Sequence, residues 1–381
     1  MKKRISCLIS AGILLSAGLM GCTSTLSAQP LGQIAGNKTD RFADDEAFYA
    51  PATHSFLDLG PYCKVQGRTV SDEIYGLCVD WTAAGIEFIA DCKGDIVLKA
   101  MVPNRGDIYL TVWIDGVRSE KRLLADGSDI LNELVLAEDL PAGRHTIKVL
   151  RQSEGMFQPM TFVSLDLNGK LLFRPKNNRY YIEFLGDSIT AGYGDLLNVQ
   201  VTGNNDEGTT LWEDGTQAYA YLTAEKLGAD YSILAISGIS VATGDPSSPM
   251  LYPYTSYYRN NQEEWGFERQ ADVVVVNLGT NDQVNQVSAE DFRTAAASYV
   301  ALIREKNPDA AIVWVSGMMG TNFIAEVESV FAELGGEEAG YYTLVLPESR
   351  GGGHWHPNAA EQMQAAEMLT AFLEPILQGK D

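Results

Sequence analysis

The first large segment of the chain, residues 46–175, contains short apolar stretches separated by turn-forming residues. Asp115-Gly116 and Asn168-Gly169 are dipeptides that favour tight hairpin turns. Because this segment has no strong helical period, we predict an antiparallel β-sandwich of the jelly-roll type. The predicted strands cover residues 86–89, 96–101, 108–114, 131–136, 145–150 and 160–165.

From about residue 179 the pattern changes, and buried-type strands alternate with helical segments. The predicted strands cover residues 181–185, 231–236, 273–278, 312–315 and 342–346. The predicted helices cover residues 216–227, 289–306, 322–334 and 357–377. Strand–helix alternation predicts a parallel sheet covered by helices on both faces, in residues 176–381. Ligands of such sheets bind beyond the carboxyl ends of the strands.

Four polar motifs lie at or near predicted strand ends of this second segment. Ser188 completes the sequence Gly-Asp-Ser after the first strand, Gly238 follows the second strand, and Asn281 follows the third. His356 precedes the last helix. A serine hydroxyl, a glycine N–H, an asparagine amide and an imidazole at one sheet edge are the groups that acyl transfer requires. The pattern therefore predicts a serine-based hydrolytic site.

These motifs resemble those of the SGNH (GDSL-type) hydrolases. The resemblance implies an SGNH-hydrolase fold, which is a flavodoxin-like three-layer α/β domain with a parallel sheet. It also implies that Ser188 is the nucleophile and that His356 is the catalytic base. The oxyanion hole is then expected to consist of the N–H groups of Ser188 and Gly238 and the side-chain amide of Asn281.

The upstream part of the chain narrows this resemblance, because it is similar to carbohydrate esterase family 2. The similar segments are residues 80–88, 113–116, 143–146 and 182–190. That family joins a β-sandwich to an SGNH domain and removes acetyl groups from plant polysaccharides. The resemblance implies an acetylated glycan as substrate, an acetyl-serine intermediate, and neither a metal ion nor an organic cofactor.

The chain departs from the usual pattern at the acid that orients the histidine. Most SGNH enzymes have Asp three residues before the histidine, where this chain has Gly353. Members of family 2 that have an acid carry it two residues before the histidine, where this chain has His354. Other members use a main-chain carbonyl, and we expect the carbonyl of His354 to orient His356. Because Pro357 favours the first helical position, His356 is also predicted near a helix N-cap, whose dipole disfavours the imidazolium.

Three further side chains near these motifs have predicted roles. Trp355 is a candidate contact for a sugar ring, with an ordinary core aromatic as the alternative. Asp187 and Asp282 are expected to organise local turns rather than to act as acids. His354 and His356 lack the neighbouring motifs of a zinc site, so we assign no metal site.

The N-terminus predicts export. Basic residues at positions 2–4 precede an apolar stretch that is too short to be a membrane span, which is typical of a signal peptide. The sequence ending in Cys22 resembles a bacterial lipobox, so residues 1–22 are expected to be a lipoprotein signal with Cys22 lipidated. Residues 23–45 are then a tether. We expect an exported bacterial lipoprotein at the cell surface or on a periplasm-facing membrane, held only through Cys22, with plain secretion as the alternative.

Charge and cysteine content restrict the partners. The formal net charge is −22, which disfavours binding to nucleic acid. Cys63, Cys78 and Cys92 lie beyond the signal, and one disulfide is compatible with export. Cys78 lies in an apolar strand and is expected to be a core residue.

Three functions fit these observations. The first is a serine esterase that removes acetyl groups from a polysaccharide or oligosaccharide of the acetylxylan or glucomannan type. The second is a short-chain lipase or thioesterase with the same fold, which would need an apolar acyl channel. The third is a non-catalytic glycan-binding lipoprotein, which the missing acid favours and the intact Ser188 and His356 disfavour.

Overall fold

The computed structural model describes residues 48–102, 106–127, 130–199, 209–258 and 263–380. Cys22, with the predicted signal and tether, lies outside the described residues. The described part consists of an antiparallel β-sandwich followed by a parallel α/β layer structure. Within it, no helix has both the length and the hydropathy that crossing a membrane requires.

Among the described residues, ten strands form the sandwich and confirm the predicted antiparallel architecture. They are β1 (Pro51–Ser55), β2 (Cys63–Gln66), β3 (Val70–Asp72), β4 (Gly76–Val79), β5 (Gly85–Met101), β6 (Ile108–Ile114), β7 (Val117–Arg118), β8 (Leu123–Ala125), β9 (Leu131–Arg151) and β10 (Met160–Leu171). Their order is β3-β4-β10-β5-β9-β6-β7, with β1, β2 and β8 paired to β10, β5 and β6. Alternate residues of β5, including Ile86, Phe88 and Leu98, are fully buried in the core.

Several predicted strands are joined in the structure. Residues 86–89 and 96–101 belong to the single strand β5, and residues 131–136 and 145–150 belong to β9. The pairing between β5 and β9 shifts register three times between Cys92 and Val97, so bulges stand where turns were expected. Such bulges bend long strands, which lets one strand contribute to both layers of a sandwich.

One of the two predicted hairpins is confirmed, and the other is wrong. Asp115 and Gly116 connect β6 to β7 with positive φ values of 51° and 81°, as a tight hairpin turn requires. Asn168 and Gly169 instead lie inside β10, at a register shift against β5. A Cβ on Gly169 would lie 2.2 Å from the carbonyl oxygen of Asp91, so glycine is required by the close approach of two strands.

The described part of the second half contains five parallel strands, which confirms the predicted α/β fold. They are β11 (Tyr181–Gly186), β12 (Asp230–Ala235), β13 (Val273–Asn277), β14 (Ala311–Ser316) and β15 (Tyr341–Val345). Their order is β12-β11-β13-β14-β15, and every pairing is parallel. This is the flavodoxin-like order, in which the switch point lies beside the first strand.

Helices cover both faces of this sheet. The α-helices in the part of the chain that the structure describes are α1 (Ser188–Ala191), α2 (Tyr219–Leu227), α3 (Ser248–Leu251), α4 (Thr280–Val284), α5 (Ala289–Lys306), α6 (Ile324–Glu333) and α7 (Ala359–Gln378). Apolar residues of α2 and α7 pack on one face in one core cluster, whereas those of α5 and α6 pack on the other face. Helix α5 has the predicted bounds, since the side chain of Ser288 caps it by accepting a hydrogen bond from the N–H of Asp291.

The sandwich and the α/β half share buried contacts. One continuous core cluster contains residues from both halves, such as Phe88 and Leu185. The guanidinium of Arg68 in the sandwich lies 2.8 Å from the carboxylate of Glu183 on β11, and both side chains are buried. Removing one partner of such a pair leaves an uncompensated buried charge, so the two halves are held firmly together.

The three described cysteines are structural core residues. Cys63, Cys78 and Cys92 are buried and form no disulfide with one another, so the bridge that export allowed is not formed among them. Burial raises the pKa of Cys63 to about 12 and that of Cys92 to about 11, which keeps both as unreactive thiols. The predicted core position of Cys78 is confirmed.

Candidate active site

The first strand of the parallel sheet delivers Ser188 to the sheet edge. All six residues of β11 are buried, and Ser188 opens α1 two residues after the strand. Asp187 caps this helix by accepting a hydrogen bond from the N–H of Ile189 at 3.0 Å. A Cβ on Gly186 would lie 2.0 Å from the Thr190 hydroxyl, so the tight return of the chain requires glycine there.

His356 is hydrogen-bonded to this serine. Its Nε2 lies 2.8 Å from Ser188 Oγ. Its Nδ1 lies 3.1 Å from the carbonyl oxygens of both Gly353 and His354. Because carbonyl oxygens only accept hydrogen bonds, Nδ1 carries the proton and Nε2 offers its lone pair to the serine hydroxyl. The carbonyl expected to orient the ring is therefore in contact with it, and a second carbonyl shares that contact.

The ring of His356 is kept neutral by burial. Burial lowers its pKa from 6.5 to about 4, and hydrogen bonds to the two carbonyls oppose this shift only in part. Asn358 is the N-cap of α7 and forms a capping box with Glu361, so His356 lies two residues before the N-cap, near it as predicted, and the helix begins two residues later than predicted. Desolvation is therefore the largest cause of the lowered pKa that keeps the imidazole neutral.

Gly238 and Asn281 lie beside this pair. Gly238 follows β12, has a φ of 80°, and nothing lies within 4 Å of the position that a Cβ would take. Asn281 Nδ2 donates to the carbonyl of Ile239 at 2.9 Å and lies 3.3 Å from the Asp187 carboxylate. The second contact is long, so an anion in the cleft would compete for that hydrogen.

These groups line one open cleft of about 480 Å³. Four separate loops at the sheet edge converge on this cleft, and they contribute Ser188, Gly238, Asn281 and His356 to its wall. The other lining residues are Met156, Phe157, Tyr193, Ser237, Thr280, Val284, Met319 and His354. The structure thus brings together every residue that the sequence proposed for nucleophile, base and oxyanion hole.

The loop that carries His356 has an unusual backbone. His354 and Trp355 have positive φ values of 48° and 62°, a conformation that costs energy in residues with a Cβ. The side chain of Trp355 is 55% exposed, so the alternative of a core aromatic is wrong. The ring of Tyr193 packs against His356 with centroids 4.8 Å apart.

Asp187 and Asp282 have the local roles that the sequence predicted. Asp187 caps α1, and the Asp282 carboxylate accepts hydrogen bonds from the N–H groups of Val241 and Ala242. Burial raises the pKa of Asp187 to about 7 and also raises that of Asp282. Within the described ranges, no group of three His, Cys, Asp or Glu side chains is placed to hold a metal ion.

Sequence reasoning missed several residues of this site. Tyr193 lies five residues after Ser188, inside the motif itself, and this position was the signal for it. Met156 and Phe157 come from the sandwich side, in a short 3₁₀ helix between β9 and β10. Glu154 reaches Ser237 from the same connection, and no local pattern marks a contact between residues 83 positions apart.

The fold and the arrangement of these residues define the SGNH-hydrolase fold with an N-terminal β-sandwich. The GDSL-like Lipase/Acylhydrolase family matches residues 184–366, and the Carbohydrate esterase 2 N-terminal family matches residues 65–175. The chain thus combines a GDSL-like lipase/acylhydrolase domain with the N-terminal domain of carbohydrate esterase family 2, and the resemblance found in the sequence is confirmed.

Named relatives agree with this classification. The chain is 31% identical over 259 residues to the cellulase/esterase CelE of Acetivibrio thermocellus, covering 63% of this chain and 31% of that protein. It is 28% identical over 263 residues to the acetylxylan esterase/glucomannan deacetylase of Cellvibrio japonicus, covering 62% and 71% respectively. The chain therefore spans only about a third of the length of CelE. A family two carbohydrate esterase from Clostridium thermocellum, solved with cellohexaose, superposes with a TM-score of 0.75 at 27% identity, covering 83% of this chain and 99% of that one.

Proposed function

We propose that this protein is a serine esterase that removes acetyl groups from a plant-type polysaccharide or oligosaccharide. The hydrogen bond of 2.8 Å between His356 Nε2 and Ser188 Oγ, in an open cleft that Gly238 and Asn281 also line, carries this proposal. The family 2 sandwich and the relatives that are named acetylxylan esterase and carbohydrate esterase support the acetylated glycan as substrate.

The proposed reaction begins with proton transfer within the Ser188–His356 pair. His356 Nε2 takes the hydroxyl proton while Ser188 Oγ attacks the acetyl carbonyl carbon. The N–H groups of Ser188 and Gly238 and the amide of Asn281 stabilise the oxyanion that forms. His356 then gives its proton to the departing sugar oxygen. Water cleaves the acetyl-serine by the same steps, with His356 again acting as base.

The missing carboxylate is compatible with this reaction. The carbonyls of Gly353 and His354 fix the tautomer and the orientation of His356, which is one of the two tasks of a triad acid. They carry no full negative charge, so they stabilise the transient imidazolium less than Asp does. Oxyanion stabilisation and the base supply large shares of the rate independently of the acid.

The cleft also supports a glycan rather than a long acyl chain. Trp355 is exposed beside the base, and an exposed indole face is suited to stacking on a sugar ring. The apolar wall residues Met156 and Val284 are 43% and 72% exposed, so this wall opens to solvent. A short-chain lipase or thioesterase is the second candidate, because apolar side chains nevertheless line part of the cleft.

The proposed location is the cell surface or a periplasm-facing bacterial membrane, with a lipid on Cys22. The lipobox-like sequence before Cys22 supports this proposal. The wild-type protein is expected in the detergent phase of a Triton X-114 partition, and a Cys22→Ser variant in the aqueous phase. A wild-type protein found in the aqueous phase would favour plain secretion.

Release of acetate tests the proposed activity. Wild-type protein should release acetate from acetylated xylan or glucomannan and from aryl acetates, and Ser188→Ala should retain its fold and lose this activity. Aryl esters of rising acyl length separate the two candidate enzymes. A steep fall beyond short acyl chains supports a deacetylase, whereas equal or faster cleavage of octanoyl esters supports a lipase.

A further inference from the structure

A carboxylate from the sandwich side reaches the loop that carries Gly238. Glu154 follows the end of β9, and its Oε2 accepts a hydrogen bond from the N–H of Ser237 at 2.5 Å. The hydroxyl of Ser237 donates to Oε1 of the same carboxylate. The Glu154 side chain is fully buried, whereas Ser237 is half-buried in the wall of the cleft. The main-chain N–H and the hydroxyl of Ser237, the residue before Gly238, therefore both donate to one side chain.

Glu154 is itself fixed by two neighbours. The buried guanidinium of Arg151 donates to the carbonyl oxygens of Glu154 at 2.6 Å and Ser153 at 2.7 Å. It also donates to the carbonyl of Val79 at 3.0 Å, which ties this connection to β4. On the other side, the Glu213 carboxylate accepts the N–H of Glu154 at 2.7 Å. The carboxylate thus projects from a rigid part of the sandwich connection.

Gly238 depends on such neighbours for its orientation. It is exposed, it has no side chain, and nothing lies within 4 Å of where its Cβ would be. The loop beyond it is held by Asn281, which donates to the carbonyl of Ile239, and by Asp282, which accepts from Val241. The bonds of Glu154 to Ser237 hold the loop on the other side of Gly238.

We propose that Glu154 is a positioning residue that aligns the N–H of Gly238 in the oxyanion hole, which makes the β-sandwich part of the catalytic apparatus. This inference rests on the proposed serine-esterase function. Donors that face the oxyanion act mainly on the transition state, and a small displacement of such a donor weakens its contribution. Loss of Glu154 should therefore lower kcat and leave KM nearly unchanged.

Three variants test this role through aryl acetate kinetics. Glu154→Gln keeps one oxygen for the Ser237 N–H and should retain activity within about fivefold. Glu154→Ala removes both bonds and should lower kcat by about 10- to 100-fold with KM within about twofold, a part of the ~10²–10³-fold that a lost donor costs. Ser237→Ala removes only the hydroxyl bond and should lower kcat by about 3- to 10-fold. If Glu154→Ala does not fold, the kcat of Ser237→Ala is used to test the role of Glu154.

Asp80 provides a matched control for a general effect on stability. Its carboxylate is also buried and also joins the two halves through a serine hydroxyl and a main-chain N–H. Asp80 Oδ2 accepts from Ser256 Oγ at 2.5 Å and from the Tyr258 N–H at 3.2 Å. Asp80→Asn should lower the Tm and leave kcat within about twofold, because these contacts do not touch the Gly238 loop.

A substrate-independent reaction separates this inference from the proposed function. Diethyl p-nitrophenyl phosphate transfers its diethylphosphoryl group to an activated serine and releases p-nitrophenolate, and its phosphoryl oxygen occupies the oxyanion hole. Phosphorylation of Ser188, followed by mass spectrometry, should slow in Glu154→Ala in parallel with kcat. If the wild-type protein is phosphorylated but releases no acetate, the substrate assignment fails and these rates alone decide the role of Glu154.

The inference is overturned if a folded Glu154→Ala protein keeps the wild-type kcat and phosphorylation rate. It is also overturned if Asp80→Asn, at an equal loss of Tm, loses as much kcat as Glu154→Ala. A wild-type protein that reacts with neither reagent refutes both the inference and the proposed function.

Discussion

Gly194 and Gly353 pack backbone against backbone beside the Ser188–His356 pair. The N–H of Gly353 donates to the carbonyl of Gly194 at 2.9 Å, and a Cβ on Gly194 would lie 2.9 Å from the Cα of Gly353. Gly353 occupies the position where most SGNH hydrolases carry the triad acid. A side chain at position 353 would therefore have to displace its close neighbours in this loop.

Restoring the acid at this position should harm the protein. A Cβ on Gly353 would lie 2.8 Å from Leu197 Cδ1 and 3.2 Å from the Cα of Gly194. We expect Gly353→Asp to be destabilised by about 1–3 kcal/mol, as overpacking usually is. Displacement of the His356 loop should lower kcat/KM for aryl acetates by about 10- to 100-fold.

The Gly353→Ala variant shows whether the loss of activity in Gly353→Asp comes from steric crowding or from the added charge. It adds the Cβ without a carboxylate, so its Tm and kcat/KM should fall about as far as those of Gly353→Asp. A Gly353→Asp protein that is faster than the wild type would show that the loop can accommodate a conventional triad.

The Ser188–His356 pair should behave as a unit. Ser188→Ala and His356→Ala should each lower kcat by several orders of magnitude, because either change abolishes nucleophilic attack. The double variant should be no slower than either single variant. Activity is measured by acetate release, and the folded state is checked by Tm. A His356→Ala protein with near-normal turnover would contradict the proposed base.

If main-chain carbonyls orient His356, two substitutions of His354 should have very different effects on kcat. His354→Ala keeps the main chain and the carbonyl that lies 3.1 Å from Nδ1, so kcat should change at most about threefold. His354→Pro cannot adopt the observed φ of 48°, because proline fixes φ near −65°, and it should displace the carbonyl. We expect it to lower kcat by about 100-fold or more. Equally large losses of kcat in the two variants would show that the His354 side chain, rather than its carbonyl, orients the ring.

The parts of this site that local sequence encodes could be predicted. Ser188, Gly238 and Asn281 each follow an apolar strand, and parallel strands bring such positions to one edge. The contact between Glu154 and Ser237 could not be predicted, because it depends on how the sandwich docks on the sheet. Similarly, bulges and turns share the same residue types, so Asn168-Gly169 favoured a hairpin where the structure has a bulge.

The neutral His356 predicts an unusually acidic limit for activity. Burial lowers its pKa from 6.5 to about 4, and the base must be unprotonated to accept the Ser188 proton. The kcat/KM for an aryl acetate should therefore stay nearly constant from neutral pH down to about pH 5 and fall as the pH passes through about 4.

The free energy of unfolding should also depend on pH through His356, and it should decrease as the pH falls. Because the folded-state pKa of this residue lies below its unfolded value of 6.5, unfolding takes up a proton between about pH 4 and 6.5. The contribution of His356 to stability is then present above pH 6.5 and lost as the pH falls toward 4. His356→Ala should remove this part of the dependence of unfolding free energy on pH, measured by denaturant titration at pH 5 and 7.5. Two results together would contradict this prediction. They are a fall of wild-type kcat/KM near pH 6.5 and an unchanged pH dependence of stability in His356→Ala. They would show that the imidazole titrates as if it were in water.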